Sequence, residues 1–145
     1  MPTVSLDNQE NNEGILQYLD REPPYDGLGR VILAASKIEV SLKELAGRRG
    51  LGEPSTIRRA STQDILKRLR NAAVVSSHLG DECDELLARR DLIAHGEWFN
   101  LFSRGSAILK QDRTDGDYKG RLVTQEELVT WAEAMAAATE QLKQL

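Results

Sequence analysis

Cysteine and histidine are both scarce in this 145-residue chain: Cys83 is the only thiol, and His78 and His95 are the only imidazoles. One thiol excludes an internal disulfide and any CxxC zinc site, and two imidazoles leave little for a dedicated metal cage. Neither a metal nor a cofactor is expected. The sequence has no run of about 18 uncharged apolar residues, and no basic leader or signal-length apolar segment at its start. A cytoplasmic protein with no membrane partner is therefore expected. A phosphate loop, a nucleophile elbow and a metal triad are all missing, which leaves small-molecule enzymology poorly supported. Internal repeats and low-complexity tracts are also lacking.

The net charge of -4 argues against a general nucleic-acid binder held by bulk electrostatics. Its distribution is uneven. Between Lys43 and Arg70 eight cations face three acids, whereas residues 1–26 carry six acids and one cation. The basic segment suits a phosphate-bearing partner at an affinity that falls with salt. A solvated basic loop and helix face is the other reading of the same residues.

A chain of this size removes roughly 70% of its unfolded surface from water, so one core is expected. Residues 1–25, with Pro23-Pro24 and only the short Ile15-Leu16-Tyr18-Leu19 cluster to bury, read as an acidic, mobile arm before a domain over 26–145. Leu28, Val31, Ile32, Ala35, Ile38, Leu42 and Leu45 recur at helical spacing up to Gly47. Gly47, Gly50, Gly52 and Pro54 then mark a basic loop. Ser61, with Asp64 three residues on, starts a second helix over Ile65, Leu66, Leu69 and Ala73, running to about Val75. After a linker over 76–80, the acidic run Asp81, Glu82, Asp84 and Glu85 suits the first turn of a third helix. That helix stops at Gly96 and buries Cys83, Leu86, Leu87, Ile93 and Ala94.

Beyond Gly96 the texture is strand-like over 98–102, 107–109 and 118–123, with turn signals at Arg104-Gly105 and Asp115-Gly116. Thr124 and Glu127 then form a capping-box pattern ahead of Leu128, Trp131, Met135, Ala138 and Leu142. The expected fold is mainly α: an antiparallel four-helix bundle with a small β-hairpin or three-stranded insert between the third and fourth helices.

Chemistry concentrates at the end of the third helix. Arg90 and His95 are five residues apart, about 140° around the axis, whereas Asp91 and His95 at i, i+4 are about 40° apart and on one face. Arg90 starts from the inward line of Cys83, Leu86 and Ile93, so its guanidinium must reach a cleft or a partner, because an unpaired buried charge is heavily penalised.

In its order Arg90, Asp91, three further residues, His95 and Gly96, the segment resembles the HEPN family. Members are small helical bundles marked by an Arg, a polar residue and, several residues on, a His near the end of a helix. The likeness covers roughly residues 26–143 and includes the layout, with a helical pair before the motif, strands after it and a closing helix. It implies metal-independent RNA cleavage in a cleft shared by two subunits of a homodimer, of a toxin, defence or stress-response kind, with an antitoxin or other protein partner. Under that resemblance Arg90 stabilises phosphate charge, His95 performs acid/base catalysis and Asp91 orients the ring. Asp91 stands where Asn is more usual, and its carboxylate repels a phosphate unless His95 or Arg89 neutralises it.

Arg89 is a second eligible phosphate ligand, and Arg48, Arg49, Arg58 and Arg59 are candidates for a further RNA or partner surface. The alternative to a nuclease is a non-catalytic HEPN-like dimeric module that binds nucleotide, RNA or a toxin partner. In it, Arg90, Asp91 and His95 form a polar network at a helix end. His78 reads as a surface residue, Trp98 and Trp131 as core or interface anchors, and Cys83 as packing.

Overall fold

The computed structural model describes residues 3–5, 25–101, 105–111 and 118–145. The arm, apart from Thr3–Ser5 and Tyr25, lies outside the described residues, as do Arg104, Asp115, Gly116 and the side chain of Trp98. Five helices occur among the described residues: α1 (Tyr25–Arg48), α2 (Pro54–Arg59), α3 (Thr62–Asn71), α4 (Ser77–His95) and α5 (Gln125–Lys143). The chain is mainly helical. Strands β1 (Thr3–Ser5), β2 (Glu97–Leu101), β3 (Gly105–Gln111) and β4 (Tyr118–Val123) pair antiparallel in the order β1-β4-β3-β2. Glu97 stands opposite Leu109, Ser106 opposite Val123, and Thr3 opposite Arg121.

The chain divides into two compact units: residues 1–30 with 91–130, and residues 31–90 with 131–145. The first holds the sheet, the opening turns of α1 and α5 and the last turn of α4. Here the Thr124 side chain caps α5, its Oγ1 accepting from the Glu127 N–H at 3.1 Å. Val123 and Leu128 are fully buried, and so, nearly, is Ile93.

The second unit carries most of the helical core. On α1, Val31, Ala35, Ile38, Leu42 and Leu45 are all fully buried, because they fall within about 80° of one another around the axis. Ile32, expected on that stripe, is 37% exposed: it stands 100° from Val31, at the stripe's edge. Gly47 does not end α1. The helix continues to Arg48 and closes where Gly50 turns left-handed at φ +68°, with the Leu51 N–H returning to the Ala46 carbonyl at 3.0 Å. Part of the expected basic loop is helical, because Pro54 supplies a preset φ at the start of α2 and Ile57 gives it one residue to bury.

Helix α3 begins at its Ser61 cap, whose hydroxyl accepts from the Asp64 N–H at 3.1 Å, and buries Ile65, Leu66 and Leu69. It stops at Asn71, short of the expected Val75. Ala73 takes φ +56° and the Val74 N–H reaches back to the Leu69 carbonyl at 3.0 Å, a closing motif usually built on glycine. Ala73 is consequently exposed. Helix α4 starts earlier than its acids suggest: the Ser76 hydroxyl accepts from the Leu79 N–H at 3.1 Å, so Asp81 and Asp84 stand beyond the first turn and His78 within it, exposed. Those two acids serve another purpose. The Arg70 guanidinium bridges to Asp81 and to Asp84 at 2.9 Å each, tying α3 to α4. It lies flat on Gly80, where an added Cβ would stand 2.6 Å from Arg70 Cζ.

Gly80→Ala should therefore displace the Arg70 clamp while gaining helix propensity, the two effects offsetting at about 1 kcal/mol each. In urea denaturation, Arg70→Ala is expected to cost about 1–2 kcal/mol in the natural background and almost nothing in the Gly80→Ala background. Equal costs in the two would mean that Gly80→Ala leaves the clamp in place.

Cys83 is fully buried on the inward line of α4. Burial, with the Glu82 and Asp84 carboxylates nearby, pushes its thiol up to about 11, Arg70 opposing. A group whose folded pKa is raised supports the fold fully below its unfolded value and loses that support as pH climbs to the folded one. Between about pH 9 and 11 stability should thus fall by up to roughly 2–3 kcal/mol from this group. Cys83→Ala, compared by denaturant titration across that interval, is expected to flatten the slope; an unchanged slope would assign the alkaline loss to other groups.

Candidate functional site

Helix α4 brings the candidate residues to its own end. Leu79, Cys83, Leu86 and Leu87 are buried along its inner line, and Arg90 follows on that line one turn later. An arginine there must find an anion. The Arg90 side chain is 28% exposed, and its Nη1 donates to Glu39 Oε1 on α1, itself 27% exposed. Both residues belong to the second unit. The pair fixes the guanidinium by a charge-assisted hydrogen bond in a half-buried setting, where such bonds are stronger than on an open surface.

Asp91 and His95 belong to the first unit. Both are exposed, and they stand one turn apart on one face of the helix, so a carboxylate and an imidazole are presented together to solvent. Gly96, half-buried, ends the helix, and β2 begins at the next residue. Ala94, expected on the buried face, is exposed. Periodicity places it in line with buried Leu87, but burial on that line does not reach the last turn.

The remaining candidate cations have varied surroundings. Arg89 donates to Glu85 at 2.7 Å and lies 5.2 Å from the centroid of the Trp131 ring, so it is held by an ion pair and an aromatic face. Trp131 is 3% exposed, a core anchor. Arg48 donates to the Leu142 carbonyl at 3.4 Å and Arg49 to the backbone oxygen of Leu145, neutralising the negative end of α5. Arg58 and Arg59 are exposed; Lys43 donates to the Arg58 carbonyl at 2.9 Å.

Glu39 is the residue that the sequence reading missed. An inward-facing arginine requires a carboxylate from a neighbouring helix, but several acids met that description, and the pairing joins residues 51 apart in sequence. Among the described residues no group of three or more His, Cys, Asp or Glu side chains is placed to hold a metal ion. None of their helices is long and apolar enough to cross a membrane. Compared with protein-family models, with curated proteins and with solved structures, the chain finds no match.

Removing the carboxylate from this half-buried pair should cost more than breaking a surface bridge. Glu39→Ala is expected to lower stability by about 1–2 kcal/mol, between the values typical of exposed and of fully buried pairs. Glu39→Gln should recover part of that. Thermal and urea unfolding check it, and a change of under about 0.3 kcal/mol would place the pair among surface bridges of no consequence.

Proposed function

We propose that the chain is a HEPN-like, metal-independent endoribonuclease of a toxin, defence or stress-response type. It is built as an antiparallel four-helix bundle with a β insert between its third and fourth long helices, and works in the cytoplasm as a homodimer. The observation that carries the reading is the end of α4, where Asp91 and His95 stand exposed on one face directly after Arg90. An accessible imidazole supplies what RNA cleavage needs: it takes the 2′-hydroxyl proton or gives one to the leaving 5′-oxygen. Arg90 stabilises the charge on the phosphorane-like transition state, and Asp91 sets the orientation of the ring. What supports a dimer is an exposed apolar face on α1. Ile32, Leu33 and Val40 are 37%, 61% and 55% exposed and share a face about 100° wide. An antitoxin or other protein partner would act by covering the cleft.

The Arg90–Glu39 pair favours a second reading. A guanidinium already neutralised by a carboxylate suits a non-catalytic HEPN-like module that binds nucleotide, RNA or a toxin partner, with Arg90 serving the fold. One assay separates the two. Purified protein incubated with tRNA or total RNA in EDTA should cleave, and His95→Ala should reduce the rate by about 10²-fold or more with an unchanged circular-dichroism spectrum. RNA left intact by the natural protein selects the binding module, and cleavage undiminished in His95→Ala removes the proposed site.

A further inference from the structure

The junction of α2 and α3, where Ala60 and Ser61 are extended, borders a groove that the proposed catalytic residues do not use. It has a volume of about 300 Å³ and is lined by Ser55, Thr56, Arg59, Ala60, Asp64 and Arg68, all within the second unit. Five other arginines of this unit are engaged by oxygens of the protein. Arg70, Arg89 and Arg90 each meet a carboxylate, and Arg48 and Arg49 meet backbone oxygens. Among the described residues neither Arg59 nor Arg68 has a carboxylate within ion-pair distance, although Asp64 lies on the same wall.

Arg68 is half-buried and lies close to the Gly52 backbone. Its Nη1 packs against Gly52, where an added Cβ would stand 3.2 Å away, with Ile57 closing the same position at 3.3 Å. A half-buried guanidinium in a groove without an anionic partner offers its N–H donors to an incoming anion. Two hydroxyls, from Ser55 and Thr56, add neutral donors on the same lining, and Arg59 adds a second cation. The donors match the oxygens of a phosphate. The one carboxylate, Asp64, repels phosphate but accepts from a hydroxyl, which fits a sugar beside the phosphate better than a bare ion.

We propose that this groove binds the phosphate of a ribonucleotide, with Arg59 and Arg68 as its charged ligands and Asp64 accepting from a ribose hydroxyl. The binding does not depend on the nuclease reading, because no residue of the groove belongs to the proposed catalytic set. The volume accommodates one nucleotide, either free or within a strand.

The test uses the full chain carrying His95→Ala, so that any cleavage is suppressed, in EDTA. Fluorescence anisotropy of labelled ten-residue oligouridylate and oligothymidylate is measured from about 50 to 200 mM salt, with AMP and inorganic phosphate as competitors. Oligouridylate should bind several-fold more tightly than the deoxy strand. Arg59→Gln and Arg68→Gln should each weaken binding by roughly tenfold, and the salt slope should fall by about 0.7 for each phosphate of a single strand that the variant leaves without its cation. Asp64→Asn should narrow the difference between ribose and deoxyribose. Competition by AMP at concentrations where inorganic phosphate has no effect identifies a free nucleotide as a sufficient ligand; displacement by neither assigns the site to a strand.

Unchanged affinity and salt slope in both arginine variants, with unfolding curves matching the parent, would overturn the proposal. So would the absence of binding by oligouridylate together with no heat on calorimetric titration of AMP. In the chain with His95 intact, RNA cleavage reports on α4 separately, so failure of one reading is visible apart from failure of the other.

Discussion

Helix α4 must bury a line of side chains that includes a cation, and most of what is distinctive about the protein follows from how it does so. Leu79, Cys83, Leu86 and Leu87 satisfy that line with apolar surface, and Arg90 arrives on it one turn later. An arginine at such a half-buried place costs about 1–2 kcal/mol unless an anion meets it. Glu39 supplies the anion from α1, so α1 and α4 are tied by charge as well as by burial. The Arg70 clamp repeats the arrangement from α3, committing one guanidinium to two carboxylates of α4. Two neighbouring helices thus fix α4 through arginine–carboxylate bonds, and its register along them is specified more tightly than interchangeable apolar packing alone would give.

The long helices were legible because their information is local and redundant. Leu128, Trp131, Met135, Ala138 and Leu142 are each at most 3% exposed, as their spacing requires, and Thr124 and Ser61 cap where a hydroxyl precedes an acid by three. Helix ends were legible only when the expected residue type performed the expected role. Ala73 closes α3 in a left-handed conformation that costs alanine roughly 1–2 kcal/mol, so nothing in its chemistry announced a stop. The acids of α4 looked like a first turn because carboxylates suit a helix start, yet Ser76 had already begun the helix and the acids were placed for Arg70. Partners far apart in sequence were invisible for a different reason. Arg48 reaches a carbonyl 94 residues on, and a backbone oxygen has no sequence signature.

The basic segment illustrates how a local charge excess dissolves once the chain is folded. Its excess of five over 43–70 suggested an electrostatic surface. Folding assigns several of those charges to structure: Arg70 to two aspartates, and Arg48 and Arg49 to the end of α5. Lys43 is engaged with a carbonyl of α2. The charge left for a ligand is therefore smaller than the sequence count, and two of the remaining cations, Arg59 and Arg68, share one groove. Localisation of this sort changes the expected interaction from diffuse attraction, which salt abolishes, to engagement of one phosphate with a defined stoichiometry.

The same reasoning bears on Arg90. A phosphate approaching it must share the guanidinium with Glu39 or replace it, and the exchange of one monoanion for another brings little electrostatic gain by itself. Any net advantage has to come from elsewhere on the phosphodiester, from the imidazole of His95 and from interactions along the strand. Asp91 works against that advantage, because its exposed carboxylate adds a negative charge one turn from the imidazole. Binding energy gathered at sites remote from the scissile bond is the ordinary way to overcome such an opposition, since it can be directed to positioning the reacting group. A nuclease whose arginine already holds one carboxylate and whose histidine follows another by one turn would need that remote energy more than most. The catalytic reading therefore requires an additional anchor for RNA, whereas the binding-module reading leaves Arg90 and Glu39 with a role that is already complete in the folded chain.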